Sequence, residues 1–432
     1  MKKILLTGTL LVMLSALFAQ DPKKIKTYLD AKQYDKAKAE VDAAIAKNAA
    51  SPLALYYKSR VYAALASDAQ FKSTVPDARE QAFEAFKKAI ETDKDNKVLF
   101  AATQDQYKPI FDLYTGYYDA GALAFNNGAA SRNKADYDQA LTLFKNSDMV
   151  GRYIYSKKWA LSELDTQLVL TIGKAAINAD KKEEAVQYLK RLADANISAT
   201  KDDKASYQLP YQWLSLHYKD AKDEENFFKY NSLGKKLFPK EDYYDAVMLD
   251  YYREKKNYPA LFRKYDEITT NFPDSFSYHF NYAADVFNFI YNKDASKIDN
   301  KELLLKNLGS ELQKAFKLNS NDVGTKLLLG QYYYNQGVDL REATNLIKGT
   351  KPEDVKKRAD LTLLAKDLFN KSIPFTEDAL KTLENNGYKK ADKSKYKSTV
   401  NLMQGIYQYL NQPDKLKFYQ AKYDSSDSKF IN

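Results

Sequence analysis

Leu214-Ser215-Leu216-His217-Tyr218, followed nine residues later by Phe227, is the stretch that decides the fold. Met248-Leu249 and Tyr252 repeat it, with Leu261 nine residues on, and Ile172-Gly173 and Ala176 repeat it with Ala185. Leu329-Gly330 with Tyr333 and Ala343, and Met403-Gln404 with Tyr407 and Leu416, extend the series with offsets of ten and nine. Each unit sets a large residue, a neighbour and an aromatic or small residue on one helical face, then turns into a second helix. That second helix has its own signature, an apolar residue followed by others at +4 and +7. Examples are Ala37, Val41 and Ala44; Ala82, Phe86 and Ala89; Ala185, Leu189 and Leu192; Leu261, Tyr265 and Ile268. Self-similarity at a fixed offset is the mark of stacked supersecondary units rather than of one globular core.

Composition agrees. The 432-residue chain is 44% hydrophobic and 29% charged, enough to bury a large core. Only 14 glycines and 11 prolines argue against turn-rich nucleotide folds and β-sandwiches. The absence of cysteine excludes disulfides, thiolate chemistry and a lipidated-cysteine anchor, and two histidines leave little for metal or triad chemistry. No Gly-x-x-x-x-Gly-Lys-Ser/Thr loop, Gly-x-Gly-x-x-Gly turn or serine elbow occurs. No cofactor and no catalysis are expected.

The N-terminus reads as a cleaved signal peptide over residues 1–19. Met1-Lys2-Lys3 is basic, Ile4 to Phe18 is an apolar run, and Ala19 precedes the polar Gln20-Asp21-Pro22. The run is shorter than the roughly 20 residues of a comfortable span, so no transmembrane segment is expected after its removal. Loss of Lys2 and Lys3 takes the formal net charge from +10 to +8. The expected location is the periplasm or the outer membrane of a Gram-negative-type envelope, without a lipid anchor.

In these residues the chain resembles the tetratricopeptide repeat (TPR) family, over about residues 24–424. The resemblance implies an all-α, TPR-like α-solenoid of about nine stacked helix pairs winding into a right-handed superhelix. The expected pairs are 24–47, 52–92, 97–147, 163–195, 205–238, 241–271, 275–318, 321–387 and 394–424. N-terminal repeats would occupy 20–150, and central and C-terminal repeats 151–432, as a continuous solenoid. Insertions are expected at Ala66–Asp77, Asn127–Lys134, Asn292–Lys301 and Gly349–Asp354. Residues 352–387 read as one long helix that Pro374 kinks or splits. Gly173, Ser215, Gly330 and Ala185 would allow close helix approach, with Tyr218, Tyr252 and Tyr333 filling the space between pairs.

The resemblance also places a candidate site, because in such an array the first helix of each pair lines the concave face. Positions two before, and one, five, eight and nine after, the opening large residue point there. They give Lys174, Asn178, Gln212, Lys219, Asp250, Arg253, Asn281, Asp285 and Asn288. Further along come Gln331, Tyr334, Asn335, Asn401, Gln408 and Tyr409. This face is rich in amides, which both donate and accept and so can bond a peptide backbone whatever its side chains. Lys389, Lys390, Lys393, Lys395 and Lys397 form a second candidate, a basic loop for an acidic partner.

His217 and His279 each lie beside a packing aromatic and read as structural. Acidic runs such as Glu183-Glu184, Asp223-Glu224-Glu225 and Glu353-Asp354 read as helix openers that complement the dipole. Lysines are interspersed with acids, so nucleic acid is not an expected partner. The expected function is an exported, non-catalytic scaffold that binds a protein or peptide partner in the envelope. The alternative is a glycan-binding module resembling the SusD-like outer-membrane proteins, with tyrosines and the tryptophans Trp159 and Trp213 as sugar platforms.

Overall fold

A computed structural model describes residues 22–199, 207–291 and 300–430 of the chain. The expected leader, residues 1–19, lies outside the described residues, as does nearly all of the insertion expected at 292–301. Among the described residues there are 20 α-helices and no strand, in two compact units divided between Tyr244 and Asp245.

In the first unit, α1 (Pro22–Asp30) pairs with α2 (Tyr34–Lys47) and α3 (Pro52–Ser67) with α4 (Ala78–Thr92). A short α5 (Lys97–Gln104) precedes the long pair α6 (Lys108–Ser131) and α7 (Lys134–Ser156). Then come α8 (Thr166–Asn178) with α9 (Lys182–Asp194), and α10 (Leu209–Asp220) with α11 (Glu224–Leu237). The unit boundary falls inside α12 (Tyr243–Glu254). In the second unit follow α13 (Tyr258–Asn271), α14 (Phe276–Tyr291) and α15 (Lys301–Leu318), with α14 packed on α15. The hairpin of α16 (Val323–Leu346) and α17 (Pro352–Asn385) comes next, then α18 (Lys393–Tyr409), α19 (Pro413–Asp424) and the single turn α20 (Ser426–Lys429).

The chain is thus an all-α array of helix pairs of the TPR-like kind; among the described residues eight of the expected pairs pack helix on helix, with α5 added to the third. Local signals set the ends. Asp165, Asp223, Asn257 and Asp322 accept from backbone N–H groups of the first turn, each cap worth about 1 kcal/mol. Pro52, Pro259, Pro352 and Pro413 sit in the first turn of their helices, where a missing N–H costs nothing. The acidic pairs at 183–184, 224–225 and 353–354 occupy first turns as expected. Between the helices of a pair, one residue turns left-handed: Lys32, Asp180, Lys222, Lys256 and Asn411 have φ of 52 to 62°.

Two expectations need amending. The insertion expected at Asn127–Lys134 is not one, because α6 runs on through Asn127 and Gly128 to Ser131. Phe125 meets Tyr137 of α7 edge-on at 5.2 Å, and this packing carries the helix through residues that look like a loop. Pro374 does not split α17, since it faces solvent, where water can take up the carbonyl it leaves unbonded.

Close approach is set where expected. A Cβ on Gly173 would lie 2.4 Å from Leu189, and one on Gly330 would lie 2.3 Å from Thr376. Tyr218 stacks on Tyr230 at 5.6 Å, and Tyr333 on Phe375 at 5.9 Å; both partners lie in the tyrosine's own pair, not in the next one as expected.

The tyrosine surplus goes mostly inward. Several of these rings put their hydroxyls at the edge of the core, where they donate to a carboxylate of another helix or turn. Tyr56 reaches Asp105 (2.7 Å), Tyr62 reaches Asp42 (2.8 Å), Tyr265 reaches Asp285 (2.8 Å) and Tyr282 reaches Asp266 (2.7 Å). Tyr114 donates to the capping residue Asp165. A phenylalanine would fill the same volume without the hydrogen bond to a charged acceptor, worth about 1.5–3 kcal/mol.

Candidate functional site

The predicted first-helix residues divide into three outcomes. In the first unit they remain separate. Asn178 turns its amide onto the carbonyl of Lys174 in its own helix, and the half-buried Gln212 lies 3.4 Å from Gln208. Lys219 is half-buried on the last turn of α10. None of these four lines a cavity described for this unit.

In the second unit, Asp250, Arg253 and Asp285 come together as a closed charge cluster. The Arg253 guanidinium spans Asp250 (2.5 Å) and Asp285 (2.9 Å) and also donates to the Tyr265 hydroxyl (3.1 Å). Hydrogen bonding to Asp285 holds the Arg253 pKa above its usual value against the opposing effect of burial. With its donors committed, this cluster fastens α12 to α13 and α14. Asn281 and Asn288 are exposed on α14, and Gln331 and Asn335 are half-buried on α16.

The third group lines a cavity. Tyr334, Asn401 and Gln408 line an open cavity of about 590 Å³ together with Gln404, Gly405, Leu416, Lys417 and Gln420. Its floor is α18, one wall is α19, and α16 contributes Tyr334. Asn401 and Gln408 are exposed and make no side-chain hydrogen bond among the described residues. Gln404 donates to the Tyr419 carbonyl (3.3 Å) and keeps its own amide oxygen, and Gln420 donates to Asp424 (2.9 Å). Tyr409, also predicted, supports the site from beneath by stacking on Phe369 at 4.9 Å and meeting Tyr334 edge-on at 5.9 Å. Burial raises the Tyr334 pKa, and Tyr409 adds to that, so its phenol stays neutral. The cavity has no carboxylate and no histidine, so it offers hydrogen bonds and apolar contact rather than acid–base chemistry.

Gln404 and Gln420 were missed by sequence reasoning. Gln404 stood one residue after Met403, at a position the spacing rule itself marks. Gln420 lies on a second helix, which that rule does not address.

The basic loop is partly neutralised. Lys393 and Lys397 both pair with Asp427 (2.9 and 2.8 Å), whose carboxyl is held down at about 2, first by its bonds to Lys397 and then Lys393. Lys389, Lys390 and Lys395 remain exposed. His279 is buried, with one ring nitrogen against Glu311 and the other 2.8 Å from the Pro273 carbonyl. His217 stacks on Trp213 at 4.9 Å, and burial lowers its pKa. Among the described residues no cluster of His, Asp or Glu could hold a metal ion, and no helix is long and apolar enough to cross a membrane.

The sequence reading also missed an acidic cavity of about 730 Å³ in the first unit. Asp30, Asp68, Asp105, Asp112 and Asp119 line it alongside Arg60 and Lys108. Its carboxylates come from several helices and turns, so no local spacing announces it. Arg60 pairs with Asp105 (3.3 Å) and Lys108 with Asp112 (2.7 Å), which leaves the acids in excess.

No family model and no curated protein matches the chain. Solved structures to which it is similar include the human IFIT1 dimer with m7Gppp-AAAA, at 14% identity and TM-score 0.24, covering 84% of this chain and 89% of that one. The yeast Tom70 structure is similar at 11% identity and TM-score 0.23, covering 92% and 94%. Naa15/Naa10 bound to HypK-THB is similar at 11% identity and TM-score 0.29; it covers 98% of this chain, which spans 61% of that one.

Proposed function

We propose that this chain is an exported, non-catalytic helical-repeat scaffold that holds a protein or peptide partner in the cell envelope. The observation that carries this is the amide-walled cavity over α18, with Asn401 and Gln408 uncommitted, Gln404 and Gln420 beside them, and Tyr334 at its edge. Amides satisfy both the N–H and the C=O of an extended chain, while Tyr334 and Leu416 supply apolar contact. Affinity comes from several modest contacts over a preformed surface, so no single residue is indispensable. Export rests on the Met1–Ala19 pattern, and N-terminal sequencing of the mature protein is expected to begin at Gln20.

Selection of random displayed peptides on the full chain tests the partner class. Peptides enriched on the native protein are expected to lose about tenfold or more in affinity on the Asn401→Ala, Gln404→Ala, Gln408→Ala triple variant, roughly 1.4 kcal/mol. Equal binding to the triple variant would remove the site from the proposal. Saturable binding of a polysaccharide, abolished by the same variant, would favour the glycan reading instead. Two features weigh against that reading. Trp159 is enclosed by Tyr107, Phe86 and Tyr153, and one face of Trp213 is covered by His217.

A further inference from the structure

A smaller cavity of about 360 Å³ lies in the first unit, between the α3–α4 connection and the α6–α7 pair. Part of its wall is apolar, from Ala66 and Val75 on one side and Leu123 and Leu143 on the other, and the rest is polar. Leu123 leaves 56% of its surface exposed there, which is high for a leucine at the edge of a packed helix pair. The polar side chains that line the cavity are Lys72, Arg79, Asn127 and Gln139, and no carboxylate does.

Arg79 is the telling residue. It is half-buried, and no ion pair or hydrogen bond to its side chain exists among the described residues. Its guanidinium lies 5.9 Å from the centre of the Tyr117 ring, a contact that leaves its N–H donors unused. Burial lowers its pKa, and Tyr117 and Asp119 only partly oppose that. Two other half-buried arginines of this unit have carboxylate partners: Arg60 has Asp105, and Arg191 has Asp148 (3.0 Å). Lys72, at the mouth, has no ion-pair partner among the described residues either.

A half-buried cation without an anion costs free energy that a bound anion would recover. Apolar walls beside it favour a ligand that carries its charge on a hydrocarbon body. We infer that this cavity binds a small amphiphilic anion, an alkyl or aryl monocarboxylate, with the carboxylate on Arg79 and Lys72 and the apolar body against Val75, Leu123 and Leu143. Asn127 and Gln139 can each donate a further hydrogen bond at the mouth. A volume of about 360 Å³ sits at the small end of ligand pockets, roughly 300–1,000 Å³, and suits a medium-length chain rather than a long lipid. This site is independent of the α18 cavity, and either can fail without the other.

Isothermal titration of the full chain with sodium octanoate, n-octylamine and 1-octanol tests the inference. Octanoate is expected to bind saturably at one site, about tenfold or more tighter than the amine or the alcohol. Arg79→Gln should weaken it by about tenfold or more, Arg79→Lys by less, and Leu123→Ala by a few-fold. Thermal melts of each variant separate lost binding from lost folding, and the exposed Leu123→Ala keeps the test open if an Arg79 variant fails to fold. No saturation by about 10 mM octanoate, equal affinity for octylamine, or unchanged affinity in a folded Arg79→Gln variant would overturn the site. Tighter binding of a short acetylated peptide acid than of octanoate would also overturn it, in favour of a chain terminus.

Discussion

Helices α8 and α18 open their pairs with the same signature, and each offers polar residues to the same predicted face, yet only one becomes a site. On α8, Gly173 receives Leu189 from its own pair, and Asn178 satisfies itself on the Lys174 carbonyl. On α18, Gly405 faces Tyr334 of the preceding pair, whose ring rests against Phe369 and Tyr409. The helix α19 then stands beside Asn401 and Gln408 as a wall, and a cavity of about 590 Å³ remains between. A polar stripe on a first helix is therefore a surface by default. It borders a cavity where its own partner helix stands off as a wall and the neighbouring pair supplies an aromatic prop.

The largest expected effect removes that prop. Phe369→Ala should cost about 3–5 kcal/mol in urea denaturation, because Phe369 is buried and supports both Tyr334 and Tyr409. A loss under about 1 kcal/mol would mean the aromatic stack is not what holds the cavity open.

Glycine exchange sharpens the contrast between the two helices. Gly173→Ala should destabilise by about 1–3 kcal/mol, since the added methyl meets the fully buried Leu189. Gly405→Ala should destabilise by less than Gly173→Ala, about 1 kcal/mol or under, because it meets the hydroxyl and adjoining ring edge of the half-buried Tyr334, which can tilt away, and gains helix propensity. It should nonetheless weaken peptide binding by displacing that ring. Equal stability losses at both positions would remove the distinction.

Alkaline titration probes the buried phenols of the first unit. Burial pushes Tyr211 and Tyr230 up to about 12 from 10.0, so the neutral phenol is the form the fold favours. A raised folded pKa contributes fully below pH 10 and is lost as pH rises through about 12. Stability by circular dichroism should hold to pH 10 and fall between 10 and 12. Tyr211→Phe and Tyr230→Phe should flatten that fall.

The central and C-terminal pairs were legible where the repeat states them, nine or ten residues at a time, as at Tyr218 to Phe227 and Tyr252 to Leu261. Ring burial could be read from spacing too. The carboxylate partners could not, because Tyr56 and Asp105 are 49 residues apart and meet only through packing. The same holds for the cavities. Asn401 and Gln408 follow from helical spacing, but whether α19 and Tyr334 stand off enough to leave space depends on side-chain volumes in three helices. That Arg253, Asp250 and Asp285 pair with one another was not legible for a related reason, since spacing marks direction and says nothing of which neighbours pair.

A small gain should come from the turns. Lys222→Gly relieves a left-handed lysine at φ 60° between α10 and α11 and should stabilise by up to about 1 kcal/mol, measured by thermal melts. An equal gain is expected at Lys256, which holds φ 52° in the corresponding turn.

Site-specific photocrosslinking compares α8 and α18 in binding itself. Benzoylphenylalanine placed at Gln408 or at Asn178 of the full chain would be irradiated with the peptides selected on it. A discrete adduct from Gln408, lost in the Asn401→Ala, Gln404→Ala background, and none from Asn178, is the expected result. Equal labelling from both positions, or labelling from Asn178 alone, would contradict the assignment of binding to the cavity over α18.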